Sequence, residues 1–398
     1  MHYDAVIVGG GPIGGYIAGS ISARGFSVLV AEEHPRPGLP VQCAGLVTPK
    51  LEELVDLKKS VLNTVNGAHI HSPSGHKLVL DTGKPKAHVI DRAKLDQQIL
   101  YDAESSGSEL RMGTRVIDAK RIGDGSRQEV ELVLKSKAGQ ETVKTPLVIG
   151  ADGASSKIRA LFGFPEPKMI LKGMGMEFEY TDIPQDFVQI YSGNQLAPGF
   201  FAWVIPTGER VRIGLCVLEP KDKLQDFFNS FRSLCLQKKL IPDAKPVTSI
   251  TGTIPLGVLS KTTADNIMLV GDAAAQVKPT SGGGVYPGLR CAKVCSETAV
   301  SALEAENFSN DTLVQYHKNW YKEIGSELTK GYRLHKAFLQ LSDEKIEEAF
   351  NILDKPDVLE VISKKGDIES PFKLAKLLFK KAPKLIKFAG PYFRSAFN

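Results

Sequence analysis

The feature that constrains this chain most is Gly9-Gly10-Gly11-Pro12-Ile13-Gly14, a G-x-G-x-x-G turn that follows the apolar stretch Tyr3 to Val8 without a spacer. That order predicts a strand, a turn whose close contacts only glycine allows, and a helix opening at Pro12. Ala18 and Gly25 then stand at close-packing positions, and a second apolar run, Phe26 to Ala31, ends in Glu32. Strand, glycine turn, helix, strand and acid together form a dinucleotide-binding arrangement. Backbone at Gly9, Gly11, Ile13 and Gly14 approaches the pyrophosphate, the helix N-terminus favours its charge, and Glu32 accepts from a ribose hydroxyl pair.

The same segment is the longest early uncharged stretch, Ala5 to Ala23, but its six glycines make it a poor membrane span. Met1-His2-Tyr3-Asp4 carries an acid and no basic leader, which argues against a cleaved signal peptide and predicts a cytoplasmic protein. Five scattered cysteines, Cys43, Cys216, Cys235, Cys291 and Cys295, fit a reducing compartment and show no zinc spacing. At 398 residues with 42% hydrophobic content, the chain is long enough for two or three domains and is not disordered.

Two later apolar runs end in the same way. Leu147 to Gly150 leads into Ala151-Asp152-Gly153, and Asn266 to Val270 leads into Gly271-Asp272-Ala273-Ala274, with Pro279 and Gly282-Gly283-Gly284 close behind. A carboxylate at the end of a sheet strand, Asp152 or Asp272, can hold a ribitol or ribose hydroxyl. The glycine run lets a second helix N-terminus approach an anionic ring.

In that order the three motifs resemble the flavoprotein monooxygenase and reductase superfamily, the glutathione reductase type two fold in its hydroxylase-like form. The resemblance implies an α/β, Rossmann-like domain binding FAD. It places Glu32 on the adenosine ribose, Asp272 at the ribityl and pyrophosphate region, and Gly284 with Val285 on the pyrimidine side of the ring. Arg92, in Val89-Ile90-Asp91-Arg92, matches the family's arginine at a helix start beside the FAD, and Val116 matches a strand whose main chain meets the adenine. Only one complete glycine fingerprint is present, and Thr48 stands five positions after Cys43 where a C-x-x-x-x-C dithiol would need its second cysteine. The two-dinucleotide disulfide reductases are therefore set aside.

Between the second and third motifs the pattern changes to period-two alternation: Met176 to Tyr180, Phe187 to Tyr191, and a hairpin of Phe200–Ile205 and Arg210–Val217 around Thr207-Gly208-Glu209. An antiparallel sheet inserted into the flavin domain is expected, roofing the ring and walling a substrate pocket. The expected division is a flavin domain of residues 1–66, 88–163 and 257–329, a sheet domain of 67–87 and 164–256, and a helical region of 330–398.

A narrower resemblance singles out residues of that roof. Pro198-Gly199-Phe200-Phe201-Ala202-Trp203-Val204-Ile205-Pro206 is similar to the P-x-x-Y-x-W-x-F-P motif of the geranylgeranyl reductase family, with Phe201 for Tyr and Ile205 for Phe. Leu39-Pro40-Val41-Gln42-Cys43-Ala44-Gly45 resembles that family's P-V-x-C-x-G segment, which would bring Cys43 and Ala44 beside the flavin, and Pro279 to Gly284 matches its flavin loop. The family reduces carbon–carbon double bonds of isoprenoid chains. The resemblance implies an isoprenoid lipid substrate bound at Phe201 and Trp203, hydride from flavin N5, and a protein acid for the second carbon. Cys43 is the first candidate for that acid and Tyr191 and Tyr286 the next. The external reductant stays open among NAD(P)H, a ferredoxin as electron-donor protein, or another donor. An FAD monooxygenase of aromatic or quinone substrates, a reductase of prenylated quinone side chains, and an isoprenoid carrier with structural FAD are the competing readings. His69 and His71 share a strand face with no third ligand in reach and are read as structural, so no metal is expected.

The net charge of +5 is unevenly placed. Residues 371–398 hold seven basic residues and no acid, leaving 43 basic against 45 acidic residues in the first 370. Lys373, Lys376, Lys380, Lys384 and Lys387 fall on one helical stripe, with Leu374, Leu377, Leu378, Leu385 and Phe388 mainly on another side and Pro383 dividing the segment. A basic amphipathic tail suits an anionic membrane surface and predicts peripheral attachment at the inner face of the membrane. It does not suit nucleic acid, since no aromatics are interleaved for base stacking.

Overall fold

A computed structural model describes residues 1–124, 128–218 and 223–388. Ala5–Val8, Val28–Ala31 and Leu147–Gly150 are buried at every position, as parallel strands covered on both faces must be. They belong to a six-stranded sheet whose spatial order is Thr263–Ala264, Ile267–Leu269, Leu147–Gly150, Ala5–Val8, Val28–Ala31, Glu109–Arg111. Every pair is parallel except the one at the Thr263–Ala264 edge. Ala5–Val8 pairs with the next strand of the chain on one side and with Leu147–Gly150 on the other. That reversal of order opens a crevice beyond the strand C-termini.

The α-helices of the described residues are α1 (Pro12–Ser22), α2 (Arg92–Ser105), α3 (Lys157–Leu161), α4 (Leu224–Gln237), α5 (Val285–Glu304), α6 (Asn310–Trp320), α7 (Ser326–Phe338), α8 (Asp343–Leu353), α9 (Pro356–Lys365) and α10 (Pro371–Lys381). One face of the parallel sheet packs on Ile17, Ala18 and Ile21 of α1, Ala292 and Cys295 of α5, and Tyr316 and Trp320 of α6. An antiparallel sheet of Arg115–Ile122, Glu129–Ser136 and Gly139–Thr145 covers the other face. Gly25 departs from expectation: the side chain it lacks would meet nothing within 4 Å, and its φ of +86° instead closes the turn after α1.

The inserted sheet has seven strands in the order Thr248–Leu256, Met169–Glu179, Arg210–Val217, Ala202–Pro206, Phe187–Tyr191, Gly67–His71, Lys77–Asp81. It is antiparallel but for one pair, Phe187–Tyr191 beside Gly67–His71. Period-two alternation divides its side chains. Phe178, Tyr191, Ala202, Val204, Ile213 and Leu215 pack under Phe228 and Phe231 of α4, while Leu171, Trp203, Ile205 and Cys216 lie on the opposite face. A small sheet of Leu46–Val47, Val61–Val65 and Ala87–Ile90 joins the two units.

After α6 the helix continues through a π turn, Tyr321–Gly325, into α7. The expected break at 329/330 falls inside α7, which runs on because Leu328, Gly331 and His335 bury one face of it. α10 ends before Pro383, and Pro383–Phe388 forms a 3-10 turn whose Leu385 buries against Val358. The remainder of the expected tail, Arg394 included, lies outside the described residues. No helix among the described residues is long and apolar enough to cross a membrane. All five cysteines are free thiols.

Candidate functional site

Two helix N-termini meet at the crevice. α1 starts at Gly11 and α5 at Gly284, and neither has a side-chain cap, so the first-turn N–H groups of both are available to an anion. Ile13 holds them together. A Cβ on Gly271 or Gly288 would lie 3.2 or 2.7 Å from the Ile13 side chain. A Cβ on Gly11 would meet nothing within 4 Å, so the space over α1 is open. Gly14 must be glycine, because its Cβ would stand 1.9 Å from the Gly9 carbonyl oxygen. A Cβ on Gly9 would likewise meet Ala151 O at 2.4 Å.

Glu32 reaches back into this turn. Its Oε2 accepts from the Gly10 N–H at 2.6 Å, and its Oε1 accepts from the His34 N–H at 2.8 Å and meets His34 Nδ1 at 2.6 Å, which leaves Oε2 with capacity for a further donor. Val116 is core, but the chain before it follows the same edge: Thr114 N–H donates to Glu32 O at 2.7 Å and Gly113 N–H to His34 O at 3.0 Å. Asp152 departs from the hydroxyl-holding role. Its carboxylate accepts from Ser156 Oγ at 2.6 Å and from the Ile158 N–H at 3.0 Å, so it is engaged at the start of α3. Burial raises its pKa above the usual carboxylate value.

Asp272 remains uncommitted in the crevice. A Cβ on Gly284 would lie 2.8 Å from its Oδ1, which places the carboxylate against the start of α5. Burial pushes its pKa up to about 6 despite the opposing pull of Arg92. The Arg92 guanidinium forks onto Asp96 at 3.0–3.2 Å and lies near enough to the Cys43 sulfur to interact with it electrostatically. Arg92, Cys43 and Asp272 are thereby brought together. Ser281, in the adjoining glycine loop, has a buried Oγ without a hydrogen-bond partner. Open, uncapped helix N-termini and an uncommitted carboxylate fit a dinucleotide whose phosphates and hydroxyls would satisfy them.

The inserted sheet roofs the crevice with a shallow furrow. Gly173, Gly175, Gly214 and Gly252 occupy paired positions on its inner face, and a Cβ on Gly214 would strike Trp203 Cζ2 at 2.5 Å. Phe200 stacks on Phe201 with centroids 4.2 Å apart, and Phe201 meets Trp203 edge-on at 6.2 Å. Phe200 in turn touches the flavin loop, 3.4 Å from where a Gly282 Cβ would sit. Tyr191 is not here. It faces α4, stacked on His71 at 4.4 Å and edge-on to Phe231, because its place in the alternation is opposite to that of Trp203. Tyr286 sits one residue into α5, with its hydroxyl 3.5 Å from Arg290 Nη1. His69 and His71 both bond the Gln189 side chain, and the described residues hold no cluster of metal-ligating groups.

Sequence reasoning missed Arg212. It reaches from the sheet to donate to Ala44 O at 3.0 Å and Ile90 O at 2.9 Å, with Glu177 3.6 Å behind it. A Cβ on Gly45 would lie 2.5 Å from its Nη1. Arg212 therefore holds the Cys43–Gly45 segment and the strand leading to Arg92 under the roof. The signal in the sequence is partial: Glu177 and Arg212 alternate with Phe178 and Val211, which puts two opposite charges on one face of the sheet. Tyr332 and His335 of α7 were also missed. Tyr332 packs with Phe201 and Trp203, and His335 lies edge-on to Phe200 at 5.7 Å.

Residues 2–292 match the family model of an FAD binding domain. The chain is 34% identical over 376 residues to a functionally uncharacterised protein of Methanocaldococcus jannaschii, covering 92% of each. It is 31% identical over 388 residues to a digeranylgeranylglycerophospholipid reductase of the same organism, covering 93% of this chain and 97% of the relative. A digeranylgeranylglycerophospholipid reductase of Methanopyrus kandleri is 29% identical, with 98% and 99% covered. A crystal structure of a geranylgeranyl bacteriochlorophyll reductase-like protein from Thermoplasma acidophilum shares the fold, with a TM-score of 0.85 at 22% identity over 97% of this chain and 99% of that one. A flavin-dependent brominase shares it more distantly, at TM-score 0.69 and 17% identity over 96% of this chain and all of the other.

Proposed function

Because the chain belongs to the digeranylgeranylglycerophospholipid reductase family of FAD-binding proteins, we propose that it is an FAD-dependent reductase saturating carbon–carbon double bonds of geranylgeranyl chains in membrane-lipid precursors. The observation that carries this reading is full-length similarity to a reductase so named, joined to the glycine furrow and aromatic wall over the crevice. When bound and reduced, FAD supplies the hydride for one alkene carbon.

The chain's own residues do the rest. Glu32 holds the adenosine ribose, the N-termini of α1 and α5 hold the pyrophosphate and ring, and Asp272 accepts from a ribityl hydroxyl. Phe201 and Trp203 lay an isoprenoid chain along Gly173, Gly175, Gly214 and Gly252, excluding water from a reaction that offers no carbonyl to polarise. Cys43 gives its Sγ–H proton to the second alkene carbon. The Arg92 guanidinium and the Gly45 N–H, 3.4 Å from Sγ, stabilise the thiolate left behind. Exposed Lys373, Lys376, Lys380 and Lys384 bring the protein to an anionic membrane surface, where its substrate resides.

Anaerobic incubation of the FAD-loaded protein with dithionite and a geranylgeranylated glycerophospholipid should yield products two hydrogens heavier per bond by mass spectrometry. No mass gain with any prenylated lipid would sink the proposal.

A further inference from the structure

The segment between α9 and α10, residues 366–370, lies beside the flavin loop and is held there by three lysines from three separate parts of the chain. Lys278, at the start of the flavin loop, pairs with Glu369 at 2.5 Å, and both side chains are more than nine-tenths buried. Lys50 donates to Asp367 Oδ2 at 2.7 Å. Lys86 donates to the Gly366 carbonyl and acts with Lys50 to hold the Asp367 carboxyl below the usual carboxylate range, against the opposing effect of its burial. Asp367 and Glu369 belong to one turn, since the Glu369 N–H donates to Asp367 Oδ1 at 2.9 Å. Two of the three cations thus pair with carboxylates two residues apart, and the third holds the carbonyl beside them.

Such an arrangement is a poor stabilising device, because desolvating both partners of a buried pair offsets most of their attraction. It is well suited to exchange. Lys278 lies against the flavin loop, its Nζ 3.3 Å from where a Gly283 Cβ would sit, and the unpartnered Ser281 hydroxyl lies 3.7 Å from the same point. A tetrahedral anion entering here would find three ammonium groups and a spare hydroxyl donor, which is more than the two carboxylates engage. We propose that Lys50, Lys86 and Lys278 form the subsite for the phosphate ester of the lipid head group, and that Asp367 and Glu369 occupy it until that lipid displaces them. The proposal rests on the reductase reading, deepening it by fixing the end of the substrate that lies beside the flavin loop.

The test uses the full-length, FAD-loaded protein and calorimetric titration with dihexylglycerol phosphate, dihexylglycerol and inorganic phosphate. Lys278→Met should weaken dihexylglycerol phosphate about tenfold, the loss of one charge-assisted bond, with dihexylglycerol and FAD affinity unchanged. Asp367→Asn/Glu369→Gln should tighten dihexylglycerol phosphate several-fold by removing its competitor. Equal losses for both lipids in Lys278→Met, or no gain in Asp367→Asn/Glu369→Gln, would overturn the proposal. Inorganic phosphate binding as tightly as the phosphorylated lipid would overturn the head-group assignment. A wild-type enzyme that binds dihexylglycerol phosphate through Lys278 yet adds no hydrogen to any prenylated lipid would refute the reductase reading and leave the anion subsite standing.

Discussion

Asp272 and Cys43 carry the sharpest expectations for single residues. A carboxyl whose pKa is raised by folding, here from 3.8 to about 6, keeps its proton longer in the folded chain than in the unfolded one. Ionising it costs stability, so the FAD-free protein loses this contribution as pH rises from about 4 to about 6. Asp272→Asn escapes that loss. Its Tm relative to wild type should climb between pH 4 and pH 7 and level off above, while its FAD affinity falls about tenfold for the lost charge and one of two acceptor oxygens; a pH-independent difference in Tm would place the carboxyl outside the crevice. Cys43→Ala should leave flavin absorbance and photoreduction intact and slow ligand-dependent reoxidation by about a hundredfold or more, the scale of a lost general acid. An unchanged rate assigns the proton elsewhere. The glycines and Glu32 were legible in the sequence because their requirement is local: Gly14 is fixed by Gly9 O, five residues away. Lys278 and Glu369 were not, since a pair separated by 91 residues leaves no mark in either neighbourhood. Asp152 showed the opposite failure, a carboxylate in the right place already engaged by Ser156 and Ile158.

Among elements, the joint between sheet and flavin unit depends on Arg212. Replacing it with Met leaves Glu177 with only Arg210, 4.0 Å away, and takes the Arg212 donors from the Ala44 and Ile90 carbonyls, a loss of about 1–3 kcal/mol in denaturant unfolding. Pairing Arg212→Met with Glu177→Gln should recover part of that, because the stranded charge is gone. If the single and double variants are equally unstable, Glu177 takes no part. The period-two pattern predicted this sheet and which residues share a face of it, Trp203 with Ile205 and Tyr191 with Phe178. It could not reveal which face meets the flavin unit, which is why Tyr191 looked like a candidate acid. Nor could it reveal the parallel pairing of Phe187–Tyr191 with Gly67–His71, because alternation is the same for either strand direction.

At the scale of the molecule, the basic tail is less free than its charge count suggested. Lys381 pairs with Asp357 and Lys387 with Glu348, while Ala382 and Leu385 bury against Val358. Lys373, Lys376 and Lys380 remain exposed along α10. At about 1 kcal/mol per basic residue near an anionic surface, reversing these three to Glu should weaken binding to phosphatidylserine vesicles by at least roughly a hundredfold. Co-sedimentation at low and high salt would measure it, and unchanged binding would assign these lysines to solvation alone. The π turn at Tyr321–Gly325 governs how this C-terminal arm meets the rest. Such a turn amounts to one residue spliced into an α-helix, and one residue corresponds to about 100° of rotation. Excising it would leave every later residue unchanged in kind yet turned by that angle, so that Tyr332 and His335 no longer met the aromatic wall. Here a single unit of chain length sets the phase of the whole arm that follows.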